Sequence, residues 1–303
     1  MKVIVAHTSP DWDAIGAAWV LKKFLPGWQE AVVEYVPAGQ RSERVKKIKE
    51  FSDTDPIVRV GDDEIIHVDT GLLPLDHHHT PDKTVCATTL AWDYVRKMLS
   101  EAGDTLTSEH EEAVSRIVGV IVEIDHFREV FWDNPIADYQ EFSLIGVLDG
   151  LKFAHPDQDQ LYTDFGIQAL NSLVHEFENR IWAEKEIKEK GVEFTLSKGL
   201  KAIGFETIND TVIKLSQKMG YTLVVRKDPR KGYVRIKVRP ASSEADDIDL
   251  TLAHEKLKKI DPEATWFLHV SKKMLLNGTP KNPKMIPSKL TLLQLIDILK
   301  SSY

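Results

Sequence analysis

The chain has a single cysteine, Cys86, in 303 residues. One thiol excludes an internal disulfide framework and a thiolate metal cluster. No run approaches the ~18 apolar residues that span a bilayer. The opening MKVIVAHTSPDWD meets charge too early for a signal peptide. A soluble cytoplasmic protein with no membrane partner is therefore expected. Positive charge is also outnumbered overall, with 39 Lys and Arg against 47 Asp and Glu. The formal net charge is −8, so no global basic field draws in nucleic acid, and any polyanion binding has to be local. Internal repeats and low-complexity tracts are absent. What is present is 42% hydrophobic residues, enough for real cores, and a length that suggests two domains.

The first part of the chain alternates short apolar runs with helical patterns. Strands are expected over 2–6, 31–36, 57–60 and 65–69. Helices are expected over 14–24, with Asp13 as N-cap, and over 41–51 as a charged amphipathic segment. This is α/β patterning: a mostly parallel sheet flanked by helices. Helical patterns then dominate, over 84–102, 108–125, 138–153 and 161–190. Ser108 and Glu111 read as a capping box for the second of these. From about Gly191 the texture changes to a smaller α+β domain. Strands are expected there over 199–205, 221–226, 232–239 and 266–270, with helices over 209–219, 250–260 and 290–299. The domains are thus read as 1–190 and 191–303.

The stretch IIHVDTGLLPLDHHHT, residues 65–80, organises the rest. An apolar strand ends at Asp69, a tight loop follows, and Asp76, His77, His78 and His79 come next. The N-terminal strand runs into His7, Asp11 and Asp13 in the same way. In an open parallel sheet, ligands bind beyond the carboxyl ends of strands. A carboxylate on a rigid strand end suits the bridging position between two divalent cations, and Asp69 fits it. His7, Asp11 and Asp13 can spread over two ions ~3.5–4 Å apart. His77 adds a nitrogen and Asp125 a further carboxylate. Mixed oxygen and imidazole ligands without thiolate suit Mn²⁺, with Mg²⁺, Co²⁺ or Zn²⁺ as alternatives. Taken singly, each residue has a plainer reading: a helix cap for Asp11 or Asp13, a surface cluster for His77 to His79, a helix-end carboxylate for Asp125. His67 reads as a core histidine and His126 as a spare ligand.

Together these residues resemble the DHH phosphoesterase superfamily. HTSPDWDAIGAA is similar to its first motif, Asp69 to its second, Asp76-His77-His78 to its third and Asp125 to its fourth. The similarity covers about residues 1–125. The closeness of Asp69 to Asp76 resembles the melanocyte-proliferating-gene-type exonuclease branch, as does WFLHVSKKMLLNG near the C-terminus. The glycine-rich C-terminal signature of the larger superfamily is absent. The resemblance implies that His7, Asp11 and Asp69 hold one ion, and that Asp13, Asp69, His77 and Asp125 hold the other. It further implies that His78 meets the scissile phosphate or protonates the leaving group, and that Asp76 orients a histidine.

The substrate side is read from basic residues. Residues 226–239 (RKDPRKGYVRIKVR) carry seven basic side chains. Arg235, Lys237 and Arg239 alternate onto one face, either as an edge-strand guard or as a phosphate track. Lys272, Lys273, Lys281, Lys284 and Lys289 form a second basic stretch beside His269 and Ser271, and Asn277-Gly278-Thr279 reads as a turn. Through the resemblance, His269 and Ser271 face substrate. The expected activity is phosphodiester hydrolysis of short or single-stranded nucleic acid, as a 3′–5′ exonuclease. The alternatives are a small phosphate substrate (pyrophosphate, a phosphomonoester or a cyclic dinucleotide) or an anion-binding metal module without turnover. The partner is a nucleic acid or nucleotide substrate, and a homodimer is admitted.

Overall fold

The computed structural model describes residues 1–241, 247–279 and 282–303. The chain divides into two compact units, Met1–Glu178 and Asn179–Tyr303. The first unit begins with strand β1 (Lys2–His7), helix α1 (Trp12–Phe24) and strands β2 (Val32–Val36), β3 (Val58–Val60) and β4 (Asp63–His67). Helices α2 (Ala87–Ala102), α3 (Ser108–Asp125), α4 (Asp138–Glu141), α5 (Leu144–Ala154) and α6 (Asp159–Lys190) follow. The division between the units falls inside α6.

The sheet runs β2-β1-β4-β3. β1 is parallel to β2 and to β4, and β3 pairs antiparallel with β4. Successive side chains of a strand point to opposite faces, and β1 obeys this. Ile4 and Ala6 join the core shared with α1, α2 and α3. Val3 and Val5 pack with Val45 and Ile65 on the other face. Because β1 and β4 are parallel neighbours, their carboxyl ends lie side by side. That delivers His7 and Asp69 to one sheet edge.

Helix α1 is buried from Trp12 through Leu21. A methyl group on Gly16 would come within 2.4 Å of Thr88 Oγ1 and 2.8 Å of Ile121 Cδ1, so only glycine lets α1 approach α2 and α3 this closely. The N-cap of α1 is Asp11, not Asp13. Its carboxylate accepts from the backbone N–H groups of Asp13 and Ala14. α3 is capped by Thr107, whose hydroxyl accepts from His110 N, so Ser108 is its first helical residue.

Residues 41–51 do not form the expected helix. A short 3₁₀ turn, Glu43–Val45, is the only helical part among them. Val45, Ile48 and Phe51 instead lie against the sheet through irregular chain. The helical spacing of these apolar residues serves a loop that covers one sheet face.

The second unit contains β5 (Val192–Thr195), β6 (Lys201–Glu206), α7 (Thr211–Lys218), β7 (Leu223–Lys227), β8 (Val234–Val238), α8 (Thr251–Ile260), β9 (Trp266–Leu268), β10 (Met274–Asn277) and α9 (Leu292–Lys300). Its sheet order is β5-β6-β7-β8-β10-β9. β6 and β7 are parallel and the other pairings are antiparallel. β8 lies between β7 and β10, so its alternating charges do not guard an edge. Asn277 is a buried strand residue rather than part of a turn. Its amide donates to the carbonyls of Thr265 and Ile286, and its oxygen accepts from Ser288 N. No helix among the described residues is long and apolar enough to cross a membrane.

Candidate metal centre

Asp69 lies two residues beyond the end of β4. Val68 N still donates to Val5 O at 2.9 Å, so the sheet pairing extends to its doorstep. The backbone then turns left-handed, with φ 53° at Asp69. Aspartate tolerates that region better than most side chains, at a cost of ~1–2 kcal/mol. Strain of this kind persists where surrounding structure imposes it. Here Asp69 N donates to Leu75 O at 3.0 Å. Asp76 ties the loop shut, because its carboxylate accepts from Leu72 N at 2.7 Å and from His78 N at 3.1 Å. These bonds hold the Asp76 carboxyl below its ordinary range against the opposing effect of burial.

His7, Asp11, Asp13, Asp69, His77 and Asp125 come together at the strand ends. His77 Nε2 lies 3.6 Å from each of Asp13 Oδ2, Asp69 Oδ1 and Asp125 Oδ2. At that distance no pair is a good hydrogen bond. It is close to the ~3.4 Å that separates two ligand atoms in a tetrahedron of ~2.1 Å metal–ligand bonds. His7 Nε2 lies 3.2 Å from Asp69 Oδ2 and 3.7 Å from Asp11 Oδ2. Its Nδ1 donates to the Thr8 carbonyl at 2.8 Å. That bond leaves Nε2 facing the carboxylates, and its lone pair is open to a metal once the ring is neutral.

Among the described residues, three buried atoms of this cluster have no hydrogen-bond partner: Asp69 Oδ1, His77 Nε2 and Asp125 Oδ2. Buried polar groups in folded proteins are otherwise nearly always satisfied. Among the described residues, His7-Asp11-Asp69, Asp69-His77-His78 and His77-Asp125-His126 each present ligand atoms within 4.8 Å of one another. The donor set fits divalent cations, with imidazole nitrogen and carboxylate oxygen in a cluster rich in negative charge. Asp69, shared by two of the groups, has one oxygen toward His7 and the other toward His77.

The electrostatics agree with a cluster short of cations. Burial, with Asp69 and Asp125 beside it, pushes the Asp13 carboxyl up to about 7. Burial and the neighbouring Asp11 and Asp69 also raise Asp125, although His77 opposes them. Asp125 ends α3, where the helix dipole disfavours negative charge. Pairing with Asp69, Asp125 and Asp13 outweighs desolvation and lifts His77 to about 9. His7 rises to about 10 because Asp11 and Asp69 together overcome its burial.

Asp13 has a second attachment that local sequence does not reveal. Its two oxygens accept from Ala87 N and Thr88 N, each at 2.7 Å. It thereby caps α2, which starts at Ala87 rather than near Thr84. His78 is 60% exposed at its side chain. Its Nδ1 meets Asp76 Oδ1 at 2.7 Å, which fixes the ring with Nε2 away from that carboxylate. His126 Nε2 donates to the Val85 carbonyl at 3.1 Å, a bond that competes with metal ligation. His67 is a core residue. Its Nε2 accepts from Ser42 N at 3.0 Å, and burial, with Arg41 nearby, lowers it to about 4.

The residues expected to face substrate lie in the second unit. His269 sits at the β9–β10 connection, with Nδ1 accepting from Ser271 N at 3.1 Å and lying 2.8 Å from Ser271 Oγ. Arg235 is ion-paired with Asp210 at 2.7 Å, and Arg226 with the same carboxylate at 2.8 Å. Lys237 pairs in register with Val224 of β7. The second basic stretch is largely neutralised. Lys272 pairs with Asp249, Lys273 with Asp247 and Lys289 with Glu263. Lys281 lies outside the described residues.

No family model and no curated protein matches the sequence. Among solved structures, the chain is similar to the DHH domain of a member of a family of ribosomal proteins. Identity is 11%, coverage 99% of this chain and 86% of that one, and the TM-score 0.31. It is also similar to an exopolyphosphatase-related protein from Bacteroides fragilis, at 11% identity, 99% and 91% coverage and a TM-score of 0.25. Exonuclease RecJ bound to manganese matches at 12% identity, 99% and 89% coverage and a TM-score of 0.25. At these scores the likeness decides nothing about activity, and the site is argued from its own residues.

Proposed function

We propose that the chain is a metal-dependent phosphoesterase holding two divalent cations, Mn²⁺ foremost, at the ends of β1 and β4. The supporting observation is the set of buried, unpartnered atoms of Asp69, His77 and Asp125, which face one another across 3.6 Å gaps. His7, Asp11 and Asp69 would hold one cation. Asp13, Asp69, His77 and Asp125 would hold the other. Bound divalent ions supply Lewis-acid stabilisation of phosphoryl charge and acidify a water nucleophile toward neutral pH. The chain's own residues do the rest. Asp69 keeps both ligand groups in register, through a carboxylate whose backbone is pinned on either side. Asp76 holds His78 so that its exposed imidazole donates a hydrogen bond to phosphate or a proton to the leaving oxygen.

The substrate is a phosphodiester of short or single-stranded nucleic acid, cleaved as a 3′–5′ exonuclease. One observation favours a second reading, a small phosphate compound. Arg235, Lys272 and Lys273 are each already ion-paired, which weakens a long phosphate track. The test is a panel of RNA and DNA oligonucleotides, a dinucleotide, a cyclic dinucleotide and pyrophosphate with Mn²⁺, run beside Asp69→Ala and His78→Ala. Release of nucleotides that both variants lose supports the first reading. Turnover of pyrophosphate alone supports the second. No metal-stimulated hydrolysis of any substrate leaves an anion-binding module.

A further inference from the structure

The loop that carries Asp69 is braced by a residue with no role in the metal cluster. Arg41 Nε donates to the Gly71 carbonyl at 2.7 Å, and the Thr70 hydroxyl donates to the Gln40 carbonyl at 3.0 Å. The Arg41 guanidinium lies over the Phe51 ring, 4.3 Å from its centroid. A pocket opens beside this pair, lined by Arg41, Phe51, Asp53, Leu72, Pro74 and His79. Leu72 is 58% exposed and sits at φ 52°. It is fixed there by the bond from its N–H to Asp76, so an apolar side chain is presented to solvent from a strained position.

The pocket and the metal centre are parts of one loop. Gly71 follows Asp69 by two residues and His79 follows His78 directly. Successive Cα atoms are ~3.8 Å apart, so the Gly71 Cα lies within ~8 Å of the Asp69 Cα. The lining is wrong for a phosphate. Asp53 repels it, and the Arg41 charge is already engaged by a carbonyl and a ring. The lining is right for a flat, polarisable group with a hydrogen-bonding edge. Nucleobases stack on aromatic rings and on guanidinium planes, and such stacking tolerates any base.

We propose that this pocket is a nucleobase subsite. The base of a nucleotide whose phosphate lies at the carboxylate–histidine cluster stacks against Arg41 and Phe51. Leu72 and Pro74 close the apolar side, and Asp53 accepts from an exocyclic amino group. This inference rests on the phosphoesterase reading and selects nucleotides over pyrophosphate as its substrates.

The test is calorimetric titration of AMP and of ribose 5-phosphate into the full chain with Mn²⁺, for wild type, Phe51→Ala and Leu72→Gly. Base stacking is worth ~1–3 kcal/mol, or roughly 5- to 150-fold in affinity. Wild type binds AMP more tightly than ribose 5-phosphate by about tenfold or more. Phe51→Ala erases most of that difference and leaves ribose 5-phosphate unchanged. Glycine suits the positive φ of residue 72, so Leu72→Gly keeps the fold and weakens AMP alone. In turnover, both variants raise KM for a dinucleotide with kcat nearly constant. Equal affinity of wild type for the two ligands overturns the proposal, as does an AMP preference that survives both substitutions. Equal loss of both ligands in Leu72→Gly also overturns it. An AMP preference without any metal-stimulated hydrolysis upholds the subsite while removing the catalytic reading.

Discussion

Each unit of this protein buries a polar cluster, and the two clusters are satisfied in opposite ways. In the second unit, Ser288 Oγ donates to Asp261 Oδ2 at 2.6 Å, Ser288 N donates to Asn277 Oδ1 at 2.7 Å, and the Asn277 amide donates to two carbonyls. This network closes on itself and needs no outside partner. In the first unit, Asp69, His77 and Asp125 point at one another across gaps too wide for hydrogen bonds, and each keeps a buried atom unpaired. The first arrangement stabilises a fold. The second carries electrostatic cost unless cations enter. A polar cluster therefore reads as structural or functional according to whether its own members complete it.

Substitutions that treat the two clusters alike should give opposite results. Asp69→Ala removes a ligand common to both proposed metal groups. Metal stabilisation of transition-state charge is worth several kcal/mol, so hydrolysis should fall by roughly a thousandfold or more while far-UV circular dichroism is unchanged. Asn277→Ala should do the reverse. It strands buried partners at ~1–3 kcal/mol each, lowering the urea midpoint while residual folded protein keeps its metal-dependent rate. If Asp69→Ala unfolds the metal-free chain and Asn277→Ala does not, the contrast is wrong.

His78→Ala comes next, with a loss of about 10²-fold, the lower end for general acid catalysis. Metal titration should show no comparable loss of affinity, because the buried ligands remain. Mn²⁺ at ~100 times its Kd should stabilise wild type by ~2.7 kcal/mol and leave Asp69→Ala unmoved in thermal melts.

The smallest effect concerns pH. Without metal, protonated His7 and His77 are favoured by their carboxylate neighbours, with values raised to about 10 and about 9. Their contribution to metal-free stability is complete below about 6.5, their ordinary value. It declines as pH rises toward those raised values, because the unfolded chain releases its protons first. Metal binding needs neutral imidazoles, so it expels these protons and tightens as pH rises from 6 to 9. Calorimetry in buffers of different ionisation enthalpy measures the released protons. Proton uptake on Mn²⁺ binding would contradict this account of the cluster.

How much of this was legible in the sequence depends on the distance between partners. β1 and β4 show as apolar runs because each strand is patterned by its own residues. The proposed ligands His7, Asp11, Asp69 and His77 are legible because each motif is compact and falls just past a strand. Asp13 reads locally both as a metal ligand and as a cap for its own helix. Its partners are the N–H groups of Ala87 and Thr88, more than seventy positions away, and no local pattern encodes that. The segment 41–51 has helical spacing, yet Val45, Ile48 and Phe51 spend it on the sheet face, where tertiary packing overrode propensity. Asn277 next to Gly278 has the chemistry of a turn, and its role as a buried clamp follows only from β9, β10 and the chain at Ser288 meeting around it. The alternating charges of β8 leave an edge guard and a phosphate track both open, because sheet order is invisible without the pairing of β10.

The most direct measurement is anomalous scattering from a crystal soaked in manganese. The account predicts two peaks ~3.5–4 Å apart with the Asp69 carboxylate between them, one peak near His7 and Asp11 and the other near Asp13, His77 and Asp125. A map with no peak inside this cluster, or with manganese only at the exposed His78 and His79, would contradict it.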